Sequence, residues 1–262
     1  MIFLKLGGSL ITDKTRAETT RPEVITRLGE EIQRALAAGG PPRLLIGNGS
    51  GSFGHVAAAR HGTRAGVHSP AQWLGFAEVS DAAIRINALV RAGLRAAGVP
   101  VMSVTASASA RCEDGLLVEM AVEPIRRLLD HALIPLLHGD VAIDDVRGGT
   151  IISTEQILAY LAPFLNPRWL LLAGETDGVY DQTGAVIPVI SPANLAAIRP
   201  ALGGSRGTDV TGGMASKVEE MLALARQTGA RIRIFDGRVP DLLFELLRHG
   251  GDFATGTIIQ AD

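Results

Sequence analysis

The chain has 262 residues, 47% of them hydrophobic, and a formal net charge of −2. That is enough for one large domain, or two fused lobes, around a sizeable core, and the near-neutral charge offers no attraction to nucleic acid or to an acidic membrane surface. The single cysteine, Cys112, excludes an internal disulfide and reads as a small packed residue; no run approaches the ~20 apolar residues of a membrane helix, and the short, lysine-interrupted run Met1–Leu6 is no signal peptide, so a cytoplasmic protein is expected.

Ile2–Leu6 reads as a strand ending at Gly7-Gly8-Ser9. Pro22–Ala38 is helical, with Val24, Ile25, Leu28, Ile32 and Leu36 at helical spacing. Arg43–Ile46 is a short apolar strand running into a glycine-rich loop that ends on His55. Ala71–Ala97 reads as one long helix or a broken pair, and Val99–Val104 as a strand. Ala121–Ala132 is helical, Leu133–Leu137 a strand, and Val141–Ile152 a hairpin turning at Gly148-Gly149. Thr154–Leu165 is helical and Arg168–Leu172 a strand, with a weak break between them at Asn166-Pro167. Gly213–Thr228 is helical, Ile232–Phe235 a strand, Pro240–Arg248 helical and Thr257–Gln260 a last strand. Strands alternating with helices predict a mostly parallel sheet covered on both faces.

Glycines cluster at 7–9, 49–54 and 208–214, after strands or before helices. Such loops let a backbone approach a ligand closely, and at a helix N-terminus they aim free N–H groups at an anion. Gly49, Gly51 and Gly54 spell the dinucleotide fingerprint. The residues that follow bring His55, Arg60, His61 and Arg64 rather than a strand ending in an acid, so nicotinamide binding is set aside. A Walker A loop is absent.

The chain has three lysines against 22 arginines. Where arginine carries the ordinary positive charge, Lys5, Lys14 and Lys217 are candidates to follow a moving phosphoryl group. Lys5 lies within an apolar strand, where a lysine needs an anionic partner. Lys14 reads equally as loop surface, and Lys217 stands one turn into a helix opened by glycines.

Of the histidines, His55 closes the glycine loop and His138 precedes Gly139-Asp140, while His61, His68, His131 and His249 read as surface or packing residues. Asp140, Asp144 and Asp145 could form a carboxylate cage; the milder reading for the last two is a cap or turn, and no protein metal ligand is named. Phe76, Val79 and Ala83 share a helix face and Val141 and Ile151 lie on the hairpin, where plain core is the bland reading.

In order along the chain, Lys5–Ser9, Gly49–His55, His138–Asp140, Thr176–Tyr180 and Asp209–Met214 with Lys217 resemble the amino acid kinase superfamily. Asp13-Lys14, Phe53–His55 and His138–Asp145 are similar to its isopentenyl phosphate kinases. The resemblance spans essentially the whole chain. It implies a three-layer α/β/α sandwich, with an acceptor lobe over 1–165 and a nucleotide lobe over 166–262 on one continuous sheet. It implies in-line transfer of the γ-phosphoryl of ATP to isopentenyl phosphate, with Mg²⁺, in a homodimer. Carried over, Lys5, Gly7, Gly8, Ser9 and Gly51 meet the ATP phosphates, Lys14 stabilises the transition state and Lys217 holds the β- and γ-phosphates. Glu175, Asp177 and Gly213 fall at nucleotide positions. Ser50, Gly54 and His55 meet the acceptor phosphate, Thr154 and Glu155 belong to the acceptor site, and Ala83, Val141 and Ile151 face the acceptor's tail. The chain departs from the family pattern at Ser50 and Thr154, where glycine is common, and at Glu155 and Glu175, where aspartate is.

Transfer between two anions asks for alignment and charge neutralisation, not a strong base. A histidine at the loop's end suits a phosphate acceptor, to which it donates a hydrogen bond. The rival readings are a fosfomycin-type kinase of the same superfamily and a non-catalytic nucleotide-sensing protein.

Overall fold

The computed structural model describes residues 1–202 and 213–261, without the side chains of His55 and Val56. In chain order come β1 (Ile2–Leu6), α1 (Gly8–Ile11), α2 (Pro22–Ala37), β2 (Leu44–Asn48), α3 (Gly51–His61), α4 (Pro70–Ala96), β3 (Val101–Ser103), β4 (Arg111–Glu113), β5 (Leu116–Glu119), α5 (Glu123–Asp130) and β6 (Ile134–His138). Then follow β7 (Asp140–Asp144), β8 (Gly148–Ile152), α6 (Thr154–Leu165), β9 (Trp169–Gly174), β10 (Val189–Ile190), α7 (Pro192–Leu202), α8 (Gly213–Thr228), β11 (Arg231–Asp236), α9 (Leu242–Arg248) and β12 (Thr257–Ile259).

An eight-stranded sheet runs β10-β12-β11-β9-β1-β2-β6-β3. Its pairings are parallel except β11 with β12. The middle strands are apolar and buried on both faces, as a parallel sheet between helical layers requires. Ile2, Leu4 and Leu6 point into one core with α2, α4 and α9; Phe3 points into the other with α5, α6 and α8. This is the expected α/β/α sandwich.

Local chemistry sets the helix ends. Ser69 and Ser153 each close a capping box, with Gln72 and Gln156, at the starts of α4 and α6. Pro70 sits in the first turn of α4, which then runs unbroken to Ala96. Asn166, in the left-handed conformation, stops α6 before Pro167.

Several expectations are corrected. Residues 49–54 are not one open loop: α3 begins at Gly51, so His55 lies on a helix. The hairpin turns at residues 145–147, and Gly148 and Gly149 belong to β8. Asp144 makes that turn, accepting the N–H groups of Asp114, Gly115, Val146 and Arg147. These four bonds hold its carboxyl, against the cost of burial, below the usual range. The hairpin is part of a second sheet, β5-β4-β7-β8, absent from the sequence reading along with α3, α7 and β10. Cys112 is buried there, its thiol pushed up to about 11 by burial and the Asp144 charge, which leaves it an inert packing group.

Candidate active site

The carboxyl ends of β1 and β2 lie side by side, Leu6 in register with Asn48, and each strand turns straight into a helix. The two turns touch through their backbones. A Cβ on Gly8 would stand 2.7 Å from the Gly51 Cα, and one on Gly49 would stand 2.6 Å from the Gly8 nitrogen. Only glycine permits that approach. Gly51 also holds φ at +50° to start α3. Thr12 ties the turns together: its hydroxyl donates to the Gly8 carbonyl (2.7 Å) and accepts the Ser52 N–H (3.0 Å). The N–H groups of Gly8 and Ser9 at the start of α1 and of Gly51 at the start of α3 therefore lie at one place, at the positive ends of two helices.

Lys5 reaches this place from the α6 face of β1. Its ammonium bonds Glu155, in the first turn of α6, giving it the anionic partner that a lysine in an apolar strand needs. Burial pushes the Glu155 carboxyl up, but Lys5 beside it and Lys217 beyond hold it below the ordinary carboxylate range. One carboxylate thus stands among two of the chain's three lysines. Thr154, fully packed, donates its hydroxyl to the Asn48 carbonyl (2.8 Å) and accepts the Gly139 N–H (2.9 Å). It welds α6 to β2 and β6 and so sets where Glu155 stands.

Ser50 sits at the start of α3, and Gly54 packs directly under its side chain. The Gly7 N–H is taken by the Ala173 carbonyl (2.8 Å), so Gly7 joins the turn to β9. The half-buried Glu175, on the loop after β9, accepts from Arg21 (2.6 Å), whose same nitrogen donates to the Ser9 carbonyl (3.1 Å). Arg238 donates to the Glu175 carbonyl (2.8 Å). Asp177, exposed farther along, accepts the Tyr180 hydroxyl. Lys14 is exposed on a loop strapped over the start of α3, where the backbone N–H of Glu18 donates to the Ser52 carbonyl (3.4 Å).

On the other side of β6, Val141 and Ile151 are register partners across β7 and β8. Ala83 is buried on α4; one turn earlier, Ser80 bonds Asp140 (2.9 Å), the residue before Val141. The Phe76 ring covers Gly149. The three tail candidates thus share one apolar patch. The side chain of His55 and residues 208–212 of the third glycine cluster lie outside the described residues; Gly213 starts α8.

Arg21, Arg238 and Asn48 were not singled out from sequence. No local signal marks them: Arg21 looks like surface charge before a helix, and its role comes from Glu175, 154 residues away.

The profile of the amino acid kinase family matches residues 1–236. The chain belongs to that family. The isopentenyl phosphate kinase of Haloferax volcanii is 37% identical over 238 residues, 90% of this chain and 91% of that protein. That of Methanothermobacter thermautotrophicus is 30% identical over 249 residues, 92% of each. A crystal structure of an isopentenyl phosphate kinase superposes with a TM-score of 0.83 at 29% identity, covering 99% of this chain and 100% of that one. As an amino acid kinase family member with such relatives, the chain is read as a phosphotransferase. No described helix is long and apolar enough to cross a membrane.

Proposed function

We propose that the protein transfers the γ-phosphoryl group of ATP to isopentenyl phosphate, giving isopentenyl diphosphate and ADP. The observation that carries this reading is the Lys5–Glu155–Lys217 cluster beside two backbone-packed glycine turns, with an apolar patch on the other side of β6. Two clustered cations and two helix N-termini neutralise the charge of two approaching phosphates. The apolar patch suits a short hydrocarbon tail. The relatives named above carry the same activity in their names.

On this reading the nucleotide lies over β9, β11 and α8, within 166–262, and the acceptor over α3, α4, β7 and β8, within 1–165. The first-turn N–H groups at Gly8, Ser9 and Gly51 face the ATP phosphates, with Gly7 setting the turn. Lys5 leaves Glu155 for the triphosphate, and the Glu155 charge keeps Lys5 and the more distant Lys217 aimed at the nucleotide. Lys14 swings from its loop to the transferring group. Ser50 and His55 hold the acceptor phosphate, with Gly54 giving Ser50 its place. Thr154 acts as a strut for Glu155. Glu175 and Asp177 border the nucleotide, Glu175 through its Arg21 clamp. The acceptor oxygen is already anionic, so alignment and charge neutralisation do the chemistry.

Among the described residues no three His, Cys, Asp or Glu side chains converge on one point. On this reading Mg²⁺ enters with ATP on phosphate and water oxygens. A homodimer in the cytoplasm completes the reading.

The test is ADP release from Mg-ATP with isopentenyl phosphate, dimethylallyl phosphate, fosfomycin, uridine monophosphate and glutamate offered separately. Turnover with isopentenyl phosphate, alone or with its isomer, is the expected result. Turnover only with fosfomycin or another acceptor overturns the acceptor assignment and keeps the kinase. Tight ATP binding with no turnover on any acceptor favours a nucleotide sensor.

A further inference from the structure

His138 is the last residue of β6, 1% exposed, and neither ring nitrogen has a hydrogen-bond partner among the described residues. Native interiors rarely leave a buried imidazole so, because the desolvated nitrogens bring no return. Its surroundings are polar and placed in order. Gly47 faces Thr154 and α6, so Asn48 points to the opposite face, where it accepts from Asn87 of α4 (2.8 Å). His138 is the register partner of Asn48 and shares that face. Two residues on, Asp140 accepts from the Ser80 hydroxyl (2.9 Å) and the Val141 N–H (2.8 Å) through one oxygen. Its other oxygen takes the Ser107 N–H at 3.3 Å and stands 3.7 Å from the His138 Nε2, just beyond a hydrogen bond.

His138 therefore stands between two parts of the acceptor lobe. On one side is Asp140, joined to Val141 of the apolar patch and, through Ser80, to the helix that carries Ala83. On the other is Asn48, whose amide donates to the Gly49 carbonyl (3.2 Å) in the phosphate turn. A neutral imidazole has one donor and one acceptor. Burial favours that neutral form, although the Asp140 charge opposes it. Nε2–H can close on Asp140 while Nδ1 accepts the second amide hydrogen of Asn48.

We propose that His138 is a positioning residue that couples the apolar patch to the phosphate turn: a tail seated on Val141 and Ala83 moves Asp140 onto the imidazole, and the imidazole fixes Asn48 and hence Gly49-Ser50 for transfer. The inference rests on the phosphate-acceptor reading above. Binding energy from the tail is then spent on aligning the phosphate, so it shows in kcat.

The test compares isopentenyl phosphate with ethyl phosphate, which keeps the phosphate and lacks most of the tail, under saturating Mg-ATP. His138→Leu is expected to lower kcat for isopentenyl phosphate about tenfold, leaving kcat for ethyl phosphate and the KM for ATP unchanged. His138→Gln, whose amide nitrogen can reach the Nε2 position, restores most of the loss. Ser80→Ala, which frees Asp140 without touching the core strand, gives a smaller loss with the same selectivity and serves if the leucine variant does not fold. Equal loss on both acceptors, or no loss on either, overturns the coupling while wild-type turnover keeps the functional reading. A wild-type protein silent on isopentenyl phosphate overturns both.

Discussion

Glu155 and Glu31 are both carboxylates drawn out of water and paired with a cation, yet they are built differently. Glu31, on α2, is 1% exposed; it pairs with Arg27 and accepts the Leu243 and Phe244 N–H groups at the start of α9. Arg27 in turn donates to the Gly237 carbonyl (2.5 Å). Every partner there is main chain or tied to it. Glu155 instead faces lysines at the ends of flexible stems. A carboxylate satisfied by backbone holds a fold together; one satisfied by ammonium groups can release them to a more highly charged ligand.

That contrast can be broken from either side. The largest effect is expected at Glu31: Glu31→Ala strands Arg27 and two helix N–H groups and lowers unfolding free energy by about 3–5 kcal/mol, with ATP affinity unchanged at a temperature where the variant is folded. Denaturant melts and calorimetric titration read the two numbers; a weakened ATP site in a stable variant would erase the distinction. Lys217→Ala should do the reverse, cutting kcat by roughly 10²–10³-fold with only a small drop in melting temperature from the weaker hold on Glu155. Glu155→Gln keeps the shape and loses the charge that aims two lysines; kcat/KM should fall about tenfold, and restoration by Glu155→Asp would show that the charge matters more than the reach.

The smallest effect is a pH dependence. The Glu155 carboxyl is held below its ordinary value, so its contribution to stability is complete above the unfolded-state value, about 4.3 for glutamate. It is lost as pH falls through the lower folded value. Melting temperatures of wild type should drop more steeply on acidification than those of Glu155→Gln, and parallel curves would show the pairing to be energetically idle.

What could be read in advance follows the range of the interactions. The α2 helix and the buried strands β1 and β9 announce themselves by apolar spacing, and α6 carries its capping box in four consecutive residues. Lys5 and Lys217 stood out because lysine is rare here. By contrast, the glycines of Gly51–His61 hide a helix whose start depends on Thr12, 40 residues from Ser52. Strands β4 and β5 are three and four residues long and largely exposed, too short to show a period. Arg21 and Asn48 acquire meaning only when the sheet brings distant loops together.

The central position of β1 bears on how the chain is made. Its first partner, β2, emerges soon after it, but its second edge waits for Trp169–Gly174. At the ~5–20 residues per second of protein synthesis, that edge stays open for on the order of ten seconds. Through that interval an apolar strand presents unpaired amides to its surroundings, an open edge on which another chain could pair.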